Sequence, residues 1–304
     1  MNVTTIVSCY YILDHSKNPH NQYMQWINNF MTIQTPKIIF TDKKTYDLVF
    51  HSIQKPDIYY YMMEFSEFKT YQYIETFRKD LERDREKFRH NTYLYLLWNE
   101  KSDMLRKAIE LNKFQSEYYI YCDIGYIRTL HHPPLYSQWP NINILKTIGN
   151  DKITLLQIEP FPQQEKQLDN DGLPISFYNV DRIGGGMIVG HKDILITWCN
   201  KYYEMLDKFI EINRFIGKDQ SIMASVCILY PDMVHLVMAK VNQYCPDKWF
   251  YLLEYLRDNT PVDNNKQINY SQYIKLKYIQ QQRQIHRLQQ IHRLQQIHRL
   301  RRYK

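Results

Sequence analysis

The feature that most constrains this chain is a short apolar run, Tyr118–Cys122, that stops at Asp123-Ile124-Gly125. Five residues apolar on both faces and ended by an acid read as a buried strand presenting a polar group at its C-terminal end. A sheet buried on both sides needs helices between its strands, and the sequence alternates accordingly. Strand-like runs cover residues 3–13 and 37–40, the second ending in Thr41-Asp42. Residues 71–90 carry charges of both signs at helical spacing and predict a solvated helix. Residues 92–97 read as a short strand and 101–111 as a helix. Residues 157–174 hold three prolines and predict a long loop, a place where function often resides. Ile194, Trp198, Met205, Phe209 and Ile212 form one apolar stripe on a long helix, with Gly217 placed to stop it. A further helix, Asp219–Leu229, is closed by Pro231, and 233–238 reads as a strand. The expected fold is α/β, with a mainly parallel sheet flanked by helices.

Charge divides the chain. Residues 275–304 carry nine Lys and Arg and no acid; against 39 basic and 32 acidic residues in all, residues 1–274 are left at −2. A globular domain at 1–274 and a basic low-complexity tail at 275–304 are therefore expected, with nucleic acid a partner only through that tail. Gln-Ile-His-Arg-Leu repeats three times between 284 and 300, placing an apolar residue at every third position. On a helix each such step drifts by about 60°, so no stripe and no coiled coil forms. The five cysteines are odd in number and form no C-x-x-C pair, which excludes a zinc ribbon or disulfide framework and fits a reducing compartment. No run approaches the ~18 apolar residues that span a bilayer, and the first residues lack a basic leader. A soluble, cytoplasmic protein without a signal peptide is the expectation.

Three clusters can carry chemistry. Asp123 at a strand end sits where α/β sheets bind ligands, and a carboxylate there can hold Mg2+ or Mn2+ on a diphosphate; an Asp-x-Gly equally reads as a helix cap. Residues 184–190 contain four of the chain's eight glycines, so the backbone there turns sharply or lies against something. A phosphate-cradling loop and a β-bulge or tight hairpin both fit. Asp219 opens a helix after Gly217-Lys218, as an N-cap or as a carboxylate facing a reacting centre.

The ordered strings Trp98-Asn99-Glu100-Lys101, Asn112-Lys113-Phe114 and Tyr121-Cys122-Asp123-Ile124-Gly125-Tyr126-Ile127-Arg128 resemble the HtrL/YibB family. The later Gly-Gly-Gly-Met-Ile-Val-Gly and Lys-Asp-Gln-Ser stretches resemble it too, and the tail does not. That family is encoded among lipopolysaccharide-core genes in bacteria and is similar to glycosyltransferases of the GT-A fold. The resemblance implies a nucleotide-sugar donor and a glycan, lipid-linked or protein acceptor. It implies that Asp123 contacts Mn2+ or Mg2+ and the donor diphosphate, with Asn99, Lys101 and Arg128 nearby. It places Tyr10 and Asp42 beside the nucleoside, Gly184, Gly185 and Gly186 along the donor sugar, and Asp219 with Gln220 at the reacting carbon. The second acid of the family-type Asp-x-Asp is Gly125 here. His235 is then the candidate further metal ligand. A carbohydrate- or nucleotide-binding module that has lost catalysis is the alternative implied by Gly125.

Overall fold

The computed structural model describes residues 4–14, 18–128, 136, 138–177, 179–241 and 245–257. The tail at 275–304, with its histidine repeats, lies outside the described residues. Apart from Cys245 and Pro246, all described residues belong to one compact unit.

Seven strands form one sheet in the order β3-β2-β1-β4-β6-β5-β7. They are β1 (Thr4–Cys9), β2 (Lys37–Thr41), β3 (Ile58–Met62), β4 (Tyr118–Cys122), β5 (Ile153–Gln157), β6 (Ile183–His191) and β7 (Val234–Met238). Only β6 runs against its neighbours; every other pairing is parallel. The expected α/β class holds. Two apolar cores cover the two faces, one including Val7, Tyr119 and Tyr121, the other Ile6, Ile120 and Cys122, so β1 and β4 alternate between them.

The helices are α1 (His20–Phe30), α2 (Lys43–Thr45), α3 (Ile74–Arg83), α4 (Thr92–Leu111), α5 (Ile142–Ile148), α6 (Lys192–Glu211), α7 (Asp219–Leu229) and α8 (Tyr251–Tyr255). None among the described residues is long and apolar enough to cross a membrane. Three expectations change. Residues 92–97 and 101–111 are one helix, α4, opened by the Asn91 side chain accepting from the Leu94 N–H and ended by Asn112 at φ 43°. Eleven of its twenty residues are buried, so it shows no one-sided stripe, and such a segment cannot be told from a strand by periodicity. The helix expected over 71–90 stops at Arg83, because the Asp84 side chain turns back to accept the Glu86 N–H at 2.9 Å. Helix α6 ends before Asn213, at φ 54°, and not at Gly217, which lies under the rings of Phe215 and Tyr95.

From β1 the sheet grows one way through β2 and β3 and the other way to β4. The C-terminal ends of β1 and β4 therefore flank the point where strand order reverses, the usual ligand crevice of an open α/β sheet. Because β6 is antiparallel to β4, its first residues arrive at that same edge: the Asp123 N–H donates to Gly186 O at 2.9 Å.

Candidate functional site

A cavity of about 520 Å3 opens at this edge. Of the residues proposed from sequence, Tyr10, Lys101, Asp123, Gly125, Arg128, Gly185, Gly186, Asp219 and Gln220 line it. The loop at 157–174 contributes nothing to its wall.

The centre of the site is an ammonium between two carboxylates. Lys101 Nζ, carried by α4 and buried, donates to Gly185 O at 2.7 Å and to Asp219 Oδ2 at 2.9 Å. It lies 3.5 Å from Asp123 Oδ1. Burial alone would lower the Lys101 pKa, but Asp123 and Asp219 outweigh it and raise it, so the side chain stays charged. Burial pushes the Asp219 carboxyl up against the pull of Lys101. The two acids differ in access: the Asp219 side chain is 6% exposed and that of Asp123 43%. Asp123 Oδ1 also accepts from Tyr121 OH at 3.1 Å, and that hydroxyl reaches Cys9 Sγ at 3.3 Å. Asp123 is thus fixed through one oxygen while its side chain remains open to the cavity.

Asp219 is not the cap of α7. Lys218 occupies that position, and Asp219 is the first helical residue, turned inward to the ammonium. No helix begins within the described residues 124–128 to be capped by Asp123; the Tyr126 N–H closes a turn on Asp123 O at 2.8 Å. The glycine cluster lies within β6 and is neither a phosphate loop nor a hairpin. Val189 pairs with Thr154 and Gly184 with Leu156, so five steps along β6 face two along β5, an irregularity of the bulge kind. A Cβ at Gly185 would stand 2.7 Å from Asp219 Oδ2, and one at Gly186 would stand 2.8 Å from the Tyr126 ring and 3.3 Å from Asp123 Oδ2. The glycines let both acids press against the strand.

Gly125 has its own reason. A Cβ there would meet the buried Trp26 ring at 3.0 Å. The Arg128 guanidinium lies over the same indole at 4.4 Å and over Phe250 at 4.5 Å, with Nε donating to Gly125 O at 3.3 Å. The second position of an Asp-x-Asp is occupied by this stack. Gly125→Asp is therefore expected to cost about 1–3 kcal/mol in urea unfolding, as overpacking does, and not to create a tighter cation site in calorimetry.

Four proposed residues stand apart. Asn99 is fully buried, bonded to Tyr95 O, Ile216 O and Tyr202 OH, and ties α4 to its neighbours. Asp42 caps α2 through the Thr45 N–H. Gly184 faces Leu156 and Ile158. His235 sits on the edge strand β7, three strands from β4 and about 14 Å across the sheet, with Nε2 at 3.2 Å from Tyr255 OH. It does not join Asp123, because strand order separates residues that sequence order left unplaced.

Sequence reasoning missed Glu86, Arg89, His90, Trp98 and Lys218 as lining residues of the cavity. Lys218 Nζ donates to Glu86 Oε2 at 2.8 Å. The signal was present in Asp84-x-Glu86 and His90, but a helix drawn through 71–90 turned them outward.

A divalent cation fits here only in part. Asp123 offers an open carboxylate oxygen, Asp219 is engaged by Lys101, and Gly125 and His235 are excluded. That suits an ion held by one carboxylate and by substrate phosphates, a common arrangement for Mg2+, and not a protein-made cage.

No curated protein matches the sequence. Among solved structures, 4-diphosphocytidyl-2C-methyl-D-erythritol synthase from Anaerococcus prevotii is similar at 10% identity and a TM-score of 0.39, over 84% of this chain and 96% of that one. The profile described as "Bacterial protein of unknown function (HtrL_YibB)" matches residues 3–257, and the chain belongs to that family.

Proposed function

We propose that this protein is a glycosyltransferase of GT-A-like fold that moves a sugar from a nucleoside-diphosphate donor to a hydroxyl of a glycan, lipid-linked or protein acceptor. The observation that carries this reading is the half-exposed Asp123, held by Lys101 at the C-terminal edge of β4 beside the buried Asp219, inside one large cavity. The cavity walls supply what such a donor needs. Arg128 presents its remaining guanidinium donors to phosphate oxygens from a fixed stack, and Arg89 adds positive charge to the same cavity. Tyr10, Tyr23 and Trp249 contribute aromatic rings to the cavity wall for a base and a sugar ring.

Asp123 would be the protein ligand of a Mn2+ or Mg2+ ion that neutralises charge growing on the leaving diphosphate. Lys101 does not reach the donor directly; locked to Gly185 O and Asp219, it fixes where Asp123 points. Gln220, at the cavity wall after Asp219, provides a neutral amide to the acceptor side.

The test is to follow melting temperature and donor hydrolysis with UDP- and GDP-sugars and Mn2+. Donor binding should weaken about tenfold or more in Asp123→Ala, a loss of about 1.4 kcal/mol. Equal binding by that variant removes the site assignment. A protein that neither binds nor turns over any donor removes the enzyme reading. The packing of Gly125 on Trp26 favours a second reading, a binding module without catalysis, which predicts binding but no turnover.

A further inference from the structure

The cavity that holds Asp123 is also lined by His90, a side chain to which the donor reading gives no role. Asp84 and His90 are both buried, and their side chains are joined by His90 Nδ1 and Asp84 Oδ2 at 2.7 Å. The same carboxylate oxygen accepts from Tyr95 OH, and Asp84 Oδ1 accepts the Glu86 N–H at 2.9 Å. With those donors on it, Asp84 is held as an acceptor, below the usual carboxylate range: burial opposes this, and the bonds from Tyr95, Glu86 and His90 prevail. An ionised carboxylate can only accept, so the bridging proton is the one on His90 Nδ1. In a neutral ring Nε2 then carries the lone pair. Nε2 has no hydrogen-bond partner among the described residues, is not among the polar atoms sealed from solvent, and belongs to a ring that lines the cavity.

The ring is also fixed in orientation. It stands edge-on to Trp98, with centroids 5.0 Å apart, and to Tyr95 at 6.1 Å. Trp98 and Lys101 are three residues apart on α4, so they share a face of that helix about one turn apart. His90 therefore lines the same cavity as the Lys101–Asp123 cluster. The charged groups around it are Asp84, Glu86 and Arg89 from its own turn and Lys218 from the segment before α7, paired to Glu86. The carboxylates of Asp84 and Glu86 do not make this trio a cation site, because one holds His90 and Tyr95 and the other holds Lys218.

We infer that His90, oriented by Asp84, is the general base that takes the proton from the acceptor hydroxyl. This rests on the glycosyltransferase reading and adds its missing acid–base group. In the step, the hydroxyl proton passes to Nε2 while the hydroxyl oxygen bonds to the anomeric carbon. The bond from that carbon to the diphosphate oxygen breaks, and its electron pair leaves with the nucleoside diphosphate. A base on the face opposite the leaving group serves direct displacement, which inverts the anomeric centre. Asp84 is a positioning residue: it selects the tautomer and touches no substrate.

The experiment uses the full chain, UDP- and GDP-sugars as donors and water as the acceptor probe. Donor affinity by calorimetry, release of nucleoside diphosphate, and the anomer of sugar first formed by NMR are read for the parent, His90→Gln and Asp84→Asn. Asp84→Asn keeps the ring and its packing but presents an amide that favours the other tautomer, so it stands in if His90→Gln fails to fold. The expectation is donor affinity within about threefold of the parent and turnover lower by about 10²–10⁴ in both variants. The first sugar formed has the configuration opposite to the donor's. In 15N spectra of the parent, the neutral His90 ring is the Nδ1–H tautomer, a preference lost in Asp84→Asn. Undiminished turnover in His90→Gln, or a product of retained configuration, overturns the role of His90 alone. A parent that binds no donor overturns the glycosyltransferase reading and the role of His90 with it.

Discussion

Lys101→Met is expected to lose about 3–5 kcal/mol of unfolding free energy at pH 8, among the largest losses a single substitution makes in this protein. Lys101 and Asp219 are 5% and 6% exposed and meet at 2.9 Å, so the methionine leaves a buried carboxylate without its counter-ion. Methionine matches the stem of lysine, which keeps a cavity from accounting for the loss. The deficit should depend on pH with a definite sign. Burial already raises the Asp219 pKa with Lys101 present, and removing the ammonium raises it further. A carboxyl whose folded pKa is raised is penalised as pH climbs through and above the ordinary range, so the deficit is smaller at pH 5 than at pH 8. The double variant Lys101→Met/Asp219→Asn should recover more than half of the loss at pH 8, since no charge is then stranded. Chemical denaturation at the two pH values measures all of this. A loss below about 1 kcal/mol at pH 8 would mean that water reaches the pair and that it does not organise the site.

That cluster also shows what the sequence made legible. Tyr118–Cys122 had to be a buried strand because five apolar residues ended by an acid leave few other choices, and β4 is that strand. Asp123, Gly185, Gly186 and Asp219 stand out by local chemistry, as an acid at a strand end, glycines in a chain with few and an acid opening a helix, whereas Lys101, within Trp98-Asn99-Glu100-Lys101-Ser102-Asp103, joins them only through the family resemblance. What the sequence hid was how they meet. Lys101 reaches Asp219 across 118 residues, a relation no local spacing encodes. Helix α4 was split in two because burial on several sides removes the one-sided pattern by which a helix is recognised. His90 was lost inside a helix that the side chain of Asp84 ends early, a choice decided by one hydrogen bond. His235 is a metal-ligand candidate only through the GT-A resemblance and its late position in the chain, and the order β4-β6-β5-β7 separates it from Asp123. Composition and period reach the elements; the site depends on contacts between elements.

The glycines give the strictest check on that contact argument, because their substitutions are predicted to differ although they stand side by side. Glycine weakens a strand, so three in a row inside β6 require a cause at each position. At Gly185 the cause is the carboxylate of Asp219, which an added Cβ would approach to 2.7 Å at Oδ2 and 3.1 Å at Cγ and Oδ1. Neither partner can retreat. Strand β6 is held between β4 and β5, and Asp219 is the first residue of α7, bonded to Lys101, which itself donates to Gly185 O. Gly185→Ala should therefore push Asp219 off the ammonium, adding the cost of a broken buried ion pair to overpacking, roughly 3–5 kcal/mol in all. At Gly184 a Cβ would meet Leu156 Cδ2 at 3.0 Å, Leu156 Cβ at 3.3 Å and Ile158 Cδ1 at 3.4 Å; the two chain ends can rotate away, and the Cβ contact needs a shift of only a few tenths of an ångström. Gly184→Ala should cost less than about 1.5 kcal/mol, because an alanine there only repacks apolar contacts. Urea unfolding of the two variants under one condition reads the difference. A gap of at least about 2 kcal/mol, with Gly185→Ala the worse, is the expected result, since only that change strands a buried charge. Equal losses, or the reverse order, would mean that β6 carries its glycines for the backbone and not for Asp219.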